Sequence, residues 1–420
     1  MDEFREIILG QKETFVNNLR TLGIVGAGRS GLSLVHLAKK LAKDVRITDI
    51  NKDIPEENIA VFNNLGVEFE LGKHSQGFLK AVDLIVVSPG VDAEWLKSKY
   101  LSGLDIPIVG EIEFSYWFCK SKNIIAITGT NGKTTTTFVI GDILKKHTGR
   151  KVHVLGNIGS PFSSAVVDIQ ADDYIVLEIS SFQLETVFSF KPHVACLLNF
   201  SPDHLDRYPN LNSYFQAKKR IFMNQEGSDY AIIPRALEAD LGSLKAQKIL
   251  VDDDNISFIR KALGIYNLKE GFVDAYMDNF KGLSHRLELV ARKGNITFIN
   301  DSKATNVSAT NFALSKIKGP IILIAGGMDK GLDYSQVKPF LGDVKKIFLI
   351  GQTKAKIKQD LGDCVATEEL SCLEEAVISA YRQAEQGDTV LLSPMCSSFD
   401  MFKDYKDRGN RFREAVNKLP

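Results

Sequence analysis

Short apolar runs alternate with longer stretches of helical period almost from one end of the chain to the other. "LGIV" runs through glycines into "RSGLSLVHLAKKLA"; "VRITDI", "DLIVVSPGV", "IIAIT", "VHVLG", "DYIVLEI", "HVACLLN", "DYAIIP", "KILVD", "ITFIN", "PIILIAGG", "KKIFLIG" and "TVLLSP" repeat the rhythm. Runs that are apolar at every position suit strands covered on both faces. Strand followed by amphipathic helix is the βαβ unit, whose strands return parallel. The expected fold class is therefore α/β with mostly parallel sheets. At 420 residues the chain is too long for one average domain. Three blocks emerge, read as 1–112, 113–292 and 293–420, with no Pro/Gly/Ser-rich linker marking either boundary. The first and third read as Rossmann-like, the central one as P-loop ATPase-like.

Composition removes several function classes. Lys+Arg and Asp+Glu both number 52, so net charge offers no bulk attraction to nucleic acid or an anionic membrane. The five cysteines, Cys119, Cys196, Cys364, Cys372 and Cys396, show no C-x-x-C spacing, hence neither a disulfide framework nor a thiolate zinc site. "MDEFREIILGQKETFVNNLR" is charged throughout and lacks the apolar core of a signal peptide. No run approaches the ~18 apolar residues that span a bilayer. The expectation is a cytoplasmic monomer acting on small molecules, with no nucleic-acid or membrane partner.

Two glycine loops carry the chemistry. Gly26-Ala27-Gly28-Arg29-Ser30-Gly31 matches G-x-G-x-x-G between a strand and a helix, and Asp49 ends the next strand. Such glycines let a diphosphate approach a helix N-terminus. A diphosphate ligand is favoured over a tight turn without ligand, and the loop leaves open whether it belongs to NAD or to another nucleotide. The second loop, "TGTNGKTTT", ends in Gly132-Lys133-Thr134 but has Ile127 where a full phosphate loop has glycine. The last three positions do the chemical work: helix N–H groups, a lysine for the β/γ phosphates, and a hydroxyl for Mg²⁺. Gly129 serves the loop's shape, so the reading is a shortened ATP-phosphate loop. The bland alternative is a helix start capped by Thr130 or Asn131 beside a solvated lysine. Glu178 ends an apolar strand, where a Mg²⁺-ligating carboxylate belongs. "SPDHLDRY" places Asp203, His204 and Asp206 in one loop after another strand. Lys218, in "SYFQAKKRIF", is by chemistry alone a surface lysine.

"TGTNGKTTT", "GNIGSP", "EISSFQLE", "DHLDRYPN", "AKKRIF", "SHRLE", "NDSKATN", "GGMDKG" and "LLSPMCSSFDMFKDYKDRGNRF" occur in that order. Taken with the first glycine loop, so that the blocks span residues 24–412, they resemble the Mur ligases. Asn131, "SSFQLE" and "NDSKATN" resemble the D-glutamate-adding member more than its L-alanine-adding sister. The related folylpolyglutamate synthetases share the loop but not the first-block fingerprint. The resemblance implies three domains and cytoplasmic peptidoglycan precursor synthesis, serving cell-wall growth, cell shape and division. The implied activity is that of an ATP-dependent amide-forming ligase. ATP phosphorylates the carboxylate of UDP-MurNAc-L-alanine, and the D-glutamate amine attacks the acyl phosphate. Water must be kept out, which implies domains closing over a shared cleft.

The resemblance also implies roles by position. Gly28, Arg29, Ser30, Asp49, Gly90 (with Ser88 and Pro89) and Asn157 resemble residues of the UDP-substrate pocket, replacing the NAD reading. Gly129, Thr130, Asn131, Gly132, Lys133, Thr134, Thr135, Arg286 and Asp301 match ATP-binding positions. Thr134 and Glu178 match ligands of a first Mg²⁺; His204 and a carbamylated Lys218 match ligands of a second, with Mn²⁺ able to substitute. Lys219 is the rival for the CO₂-derived carbamate. Lys133, His204, Lys218 and Lys303 resemble catalytic residues, and Thr305, Lys330, Ser398 and Tyr405 resemble the D-glutamate-holding set. Tyr405 stands where some relatives have phenylalanine. Relatives carry G-x-H-N-x-x-N at the adenine; here the matching region is "DDDNISFIRKALG", with Asn255 at the first asparagine and Phe258 at the second. Relaxed nucleotide selectivity is expected from that departure. Two rivals stand beside the ligase: an NAD(P)-dependent oxidoreductase, which leaves Lys133 and Glu178 idle, and a non-catalytic nucleotide-sugar binding protein.

Overall fold

The structure, a computed structural model, describes residues 2–252 and 254–420. Met1, where the first expected domain begins, and Asp253, in the "DDDN" run, lie outside the described residues. Two compact units divide the chain: residues 1–200 with 214–278, and residues 201–213 with 279–420.

The first unit holds two sheets. Strands β1 (Thr21–Val25), β2 (Asp44–Asp49), β3 (Glu68–Leu71), β4 (Leu84–Val87) and β5 (Ile108–Gly110) form a parallel sheet in the order β3-β2-β1-β4-β5. The order reverses at β1, so the loop after β1 opens at a topological switch point, the usual ligand crevice of such sheets. Strands β6 (Ile124–Thr128), β7 (Val152–Gly156), β8 (Tyr174–Glu178), β9 (Val194–Leu197), β10 (Tyr230–Pro234) and β11 (Gln247–Val251) form a second parallel sheet, β11-β10-β9-β6-β8-β7. Every residue of β6, β8 and β9 is buried, as their largely apolar runs require, the terminal Thr128 and Glu178 included. Here β6 lies between β8 and β9, which puts the ends of all three strands side by side.

One apolar cluster runs through this unit and takes in strand residues of both sheets, such as Ile24 and Leu177, with Leu34 and Val35 of the helix Arg29–Lys40 and with Phe114, Phe162 and Val166. A second cluster, around Val25, Ile85, Val87 and Leu96, fills the other face of the first sheet. The helix Asp2–Asn18 precedes the first strand and lays Phe15 edge-on to Trp117 (ring centroids 6.0 Å apart).

The second unit holds β12 (Glu288–Lys293), β13 (Ile296–Asn300), β14 (Ile321–Gly326), β15 (Val344–Ile350), β16 (Ala366–Glu369) and β17 (Thr389–Leu392), ordered β12-β13-β17-β14-β15-β16. Only the edge pair β12–β13 is antiparallel. Apolar clusters cover both faces of this sheet. Since β17 lies between β13 and β14, the segments following these strands, "DSKATN", "GMDKG" and "SPMCSSFD", leave the same sheet edge as neighbours. Among the described residues no helix is long and apolar enough to cross a membrane.

Candidate active site

In the first unit, the phosphate-type loop leaves β6 and enters the helix Lys133–His147. Gly132 has φ +81°, a left-handed conformation that glycine adopts without strain. Lys133 Nζ donates to Gly129 O (2.8 Å) and Thr130 O (2.9 Å). This ammonium is thus held by the loop's own carbonyls, with which any phosphate would have to compete. Asn199, just past β9, clamps the loop from the next strand: its Oδ1 accepts from Asn131 N (2.9 Å) and its Nδ2 donates to Asn131 O (3.2 Å). Thr130 N also donates to Asn199 O at 3.2 Å. Thr130 is buried, whereas Asn131, Thr134 and Thr135 are half-buried at the mouth of the loop.

Glu178 ends β8, opposite Ile127 of β6 in register. It is 1% exposed. One carboxylate oxygen accepts from Asn157 Nδ2 (2.8 Å); the other is buried and has no hydrogen-bond partner among the described residues. Buried carboxylate oxygens are normally paired, and an orphan of this kind fits a cation ligand. Asn157 is thus tied to Glu178, both through its side chain and through its backbone N–H to Glu178 O (2.8 Å).

Lys218, on the helix Leu211–Lys219, is 1% exposed, while Lys219 is half-buried. The Lys218 ammonium lies 4.5 Å from the Tyr214 ring centroid and donates to Gly129 O at 2.8 Å. The same carbonyl therefore receives both Lys133 and Lys218. Asn255 begins the helix Asn255–Ile265, capped by Asp254. Its Oδ1 lies 2.5 Å from where a Cβ on Gly132 would stand, so its amide rests against the phosphate loop. Phe258 is 1% exposed and belongs to the core, unable to present a polar group to a base.

The first glycine loop is held by its neighbours. A Cβ on Gly31 would lie 1.8 Å from Gly26 O, so helix and loop touch through that glycine. Asp49 accepts from Ala27 N (2.6 Å) and Asn51 N (2.8 Å), one with each oxygen. It braces the loop before it meets any ligand. Ser88 Oγ donates to Gly26 O (3.2 Å). Gly28, Arg29 and Gly90 are exposed, and Ser30 is half-buried beside Arg29 at the start of the helix Arg29–Lys40.

His204 belongs to the second unit, unlike Thr134, Glu178 and Lys218. It has φ +56°, an uncommon backbone state for a non-glycine residue. Among the described residues no three His, Cys, Asp or Glu side chains gather as a metal cluster. Asp203 is 4% exposed and pairs with Lys330 Nζ at 2.9 Å. Burial pushes its carboxyl up, but Lys330, His204 and the Asn306 amide outweigh that and leave it at about 2. Asp301 accepts from Ser393 Oγ (2.9 Å) and Leu287 N (3.2 Å). Its burial dominates those bonds and the nearby Arg286 and Arg408, pushing the carboxyl up to about 7. Lys303 Nζ sits 4.0 Å from the Tyr405 ring centroid. Ser398 is buried and Thr305 half-buried on adjacent segments of the same sheet edge.

Arg408 carries no local sequence signal, yet it holds these segments together. It is fully buried, and its guanidinium donates to Ser302 O (2.8 Å), Ser302 Oγ (3.0 Å) and Cys396 O (3.1 Å). Burial lowers its pKa to about 10, still charged at neutral pH. Asn199, Asn306 and Arg408 escaped the residue-level reading because each acts on backbone or side chains far away in sequence. The only sequence signal for Asn199 was its place at a strand end.

Family models match most of the chain: "Mur ligase MurD-like, N-terminal domain" over residues 20–110, "Mur ligase middle domain" over 127–270, and "Mur ligase, glutamate ligase domain" over 285–396. Curated relatives include the UDP-N-acetylmuramoylalanine--D-glutamate ligase of Thermoanaerobacter sp. (strain X514), 39% identical with 94% of this chain and 98% of the relative covered. The enzymes of the same name from Caldicellulosiruptor saccharolyticus (38%; 94% and 98%) and Chloroherpeton thalassium (36%; 94% and 97%) are similar at comparable levels. Solved structures of like fold include the UDP-N-acetylmuramate-alanine ligase of Thermotoga maritima (TM-score 0.58, 16% identity, 95% of this chain and 99% of that one). A pseudomurein peptide ligase type C from Methanothermus fervidus is similar (TM-score 0.59, 17% identity, 96% and 100%).

Proposed function

The chain belongs to the Mur ligase family, and on that premise we propose that it joins D-glutamate to UDP-N-acetylmuramoyl-L-alanine at the expense of ATP. It is an ATP-dependent ligase of peptidoglycan precursor synthesis rather than an oxidoreductase. The observation that carries the reading of the site is the phosphate loop Gly129–Thr134. It is clamped by Asn199 and flanked, one strand over, by the orphaned buried oxygen of Glu178.

The chemistry assigns tasks to this chain's residues. A carboxylate oxygen of the nucleotide substrate attacks the γ-phosphorus of ATP, and ADP leaves. Lys133 and the N–H groups opening the helix Lys133–His147 neutralise the charge that spreads over the transferring phosphoryl oxygens. Thr134 and Glu178 would hold a Mg²⁺ ion, which when bound supplies further positive charge to those oxygens. The amine nitrogen of D-glutamate then attacks the acyl carbon; phosphate leaves, and the nitrogen loses a proton as the amide forms. Lys330, Thr305, Ser398 and Tyr405 are the proposed holders of the amino-acid acceptor, Lys303 and His204 are proposed catalytic groups, and His204 is also the proposed ligand of a second cation. Arg286 and Asp301 are proposed to meet ATP. Gly28, Arg29, Ser30, Asp49, Gly90 and Asn157 are proposed for the uridine-diphosphate sugar. Residues 1–112, 113–292 and 293–420 are the proposed functional domains.

Lys218 is proposed to carry a carbamate. A buried ammonium is costly, and addition of CO₂ to the amine with loss of a proton turns it into an anion that suits a second cation. Burial favours Lys218 over Lys219 for this role. Phosphate release, measured with ATP, Mg²⁺ and UDP-MurNAc-L-alanine, tests the whole reading. D-Glutamate should support turnover, and L-glutamate and L-alanine should not; equal rates with all three would overturn it.

A further inference from the structure

Three sequence runs meet at one carboxylate in the second unit. Asp203 Oδ1 accepts from the Lys330 ammonium (2.9 Å) and from the backbone N–H of His204 (2.9 Å), while Oδ2 accepts from Asn306 Nδ2 (2.9 Å). Asn306 uses its own Oδ1 to cap the helix Val307–Lys316 through Ala309 N (2.9 Å), which fixes which end of its amide faces Asp203. A Cβ on Gly331 would lie 3.6 Å from Leu205 Cβ, so the loop bearing Lys330 packs directly on the loop bearing Asp203. Asp203, Asn306 and Lys330 are all buried.

We propose that Asp203 is the positioning residue for acceptor recognition: it holds Lys330 by one N–H, leaving two for a carboxylate of the incoming amino acid. This rests on the reading of Lys330 as an acceptor ligand. A lysine is a compact charge on a flexible stem, and it selects a carboxylate only if something fixes it. Asp203 fixes it before substrate arrives, so little ordering remains to be done on binding. It also balances the lysine's charge, so the pair presents donors to a dicarboxylate without leaving an unpaired buried cation when the acceptor is gone. The same oxygen pins the N–H of His204, whose left-handed backbone needs such support.

Steady-state kinetics of Asp203→Asn separate these roles. Loss of a charge-assisted bond at Lys330 should raise KM for D-glutamate by about tenfold or more. KM for ATP and for the nucleotide substrate should stay within about twofold of wild type on the same reasoning, because neither meets Lys330 and the Asn carbonyl can still accept from the His204 N–H. Asp203→Glu, which keeps the charge, should recover part of the loss. An unchanged KM for D-glutamate in an otherwise active Asp203→Asn enzyme overturns the proposal, as does a parallel loss on all three substrates. If Asp203→Asn fails to fold, Asn306→Ser decides: it keeps the helix cap but drops the amide on Asp203, and should raise the same KM alone. A wild-type enzyme that turns over without D-glutamate, or not at all with it, removes the functional reading and this inference together.

Discussion

Lys218 and Lys219 are neighbours on one helix, yet burial gives them opposite prospects. Lys218 is enclosed against Tyr214 and the Gly129 carbonyl, whereas Lys219 is half-buried. Lys218→Ala should lower kcat by about a thousandfold or more, since it removes an anion proposed to sit at the phosphoryl-transfer site. Short carboxylic acids should restore part of the rate, and Lys219→Ala should be near wild type; the reverse pattern would move the carbamate to Lys219. Asp301 offers a test by pH. Its folded-state carboxyl titrates at about 7, above the ~3.9 of an unfolded aspartate, so the native state binds the proton more tightly. Its contribution to stability is therefore full below pH ~4 and is lost as pH rises towards 7. Asp301→Asn should flatten that part of the Tm-against-pH curve. An identical slope in wild type and variant between pH 5 and 7.5 would show that Asp301 ionises normally.

Strands, turns and helix starts carry the site, and they differ in how plainly the sequence announces them. β6, β8 and β14 were legible because each is an unbroken apolar run buried on both faces. β3 ("EFEL") and β16 ("ATEE") are polar edge strands with no such signature, and β12 ("ELVARK") alternates beside its antiparallel partner. Motif residues were legible in the same way: Lys133 and Thr134 open the helix that follows β6, and Glu178 ends β8. What the sequence hid is the second layer. The Asp203–Lys330 pair spans 127 positions and the Asn199–Asn131 clamp spans 68, so no local pattern could pair them. The Asn255–Gly132 contact belongs to this hidden layer too. A Gly132→Ala side chain would need φ +81° and would meet the Asn255 amide at 2.5 Å, so loop and helix start must part. The backbone strain alone costs about 1–2 kcal/mol. KM for ATP should rise by about tenfold or more, a loss of about 1.4 kcal/mol in binding. A variant with native KM for ATP would mean that the loop shape is not set at this glycine.

Each of the two compact units has cores of its own. The clusters around Leu34–Phe162 and Val25–Leu96 belong to the first, and those on the two faces of the β12–β17 sheet to the second. The chain passes between units three times, after Phe200, Ser213 and Asp278, so the units share a covalent frame without sharing these cores. The proposed binding residues divide similarly, with the phosphate-type loop and the first glycine loop on one unit and Lys330, Thr305, Ser398 and Tyr405 on the other. Separate cores predict that unfolding is not two-state: the calorimetric enthalpy should exceed the van't Hoff enthalpy. MgATP should then act on one transition more than on the other. At a hundred times its Kd it adds about 2.7 kcal/mol to whichever unit binds it. For a unit of this size that is a rise on the order of 5–10 °C in one Tm. With ATP and EDTA the shift should shrink, because Glu178 and Thr134 would then face the phosphates without the cation between them. A single transition that moves as a whole with MgATP, with the two enthalpies equal, would mean that the three crossings fuse the units into one cooperative body.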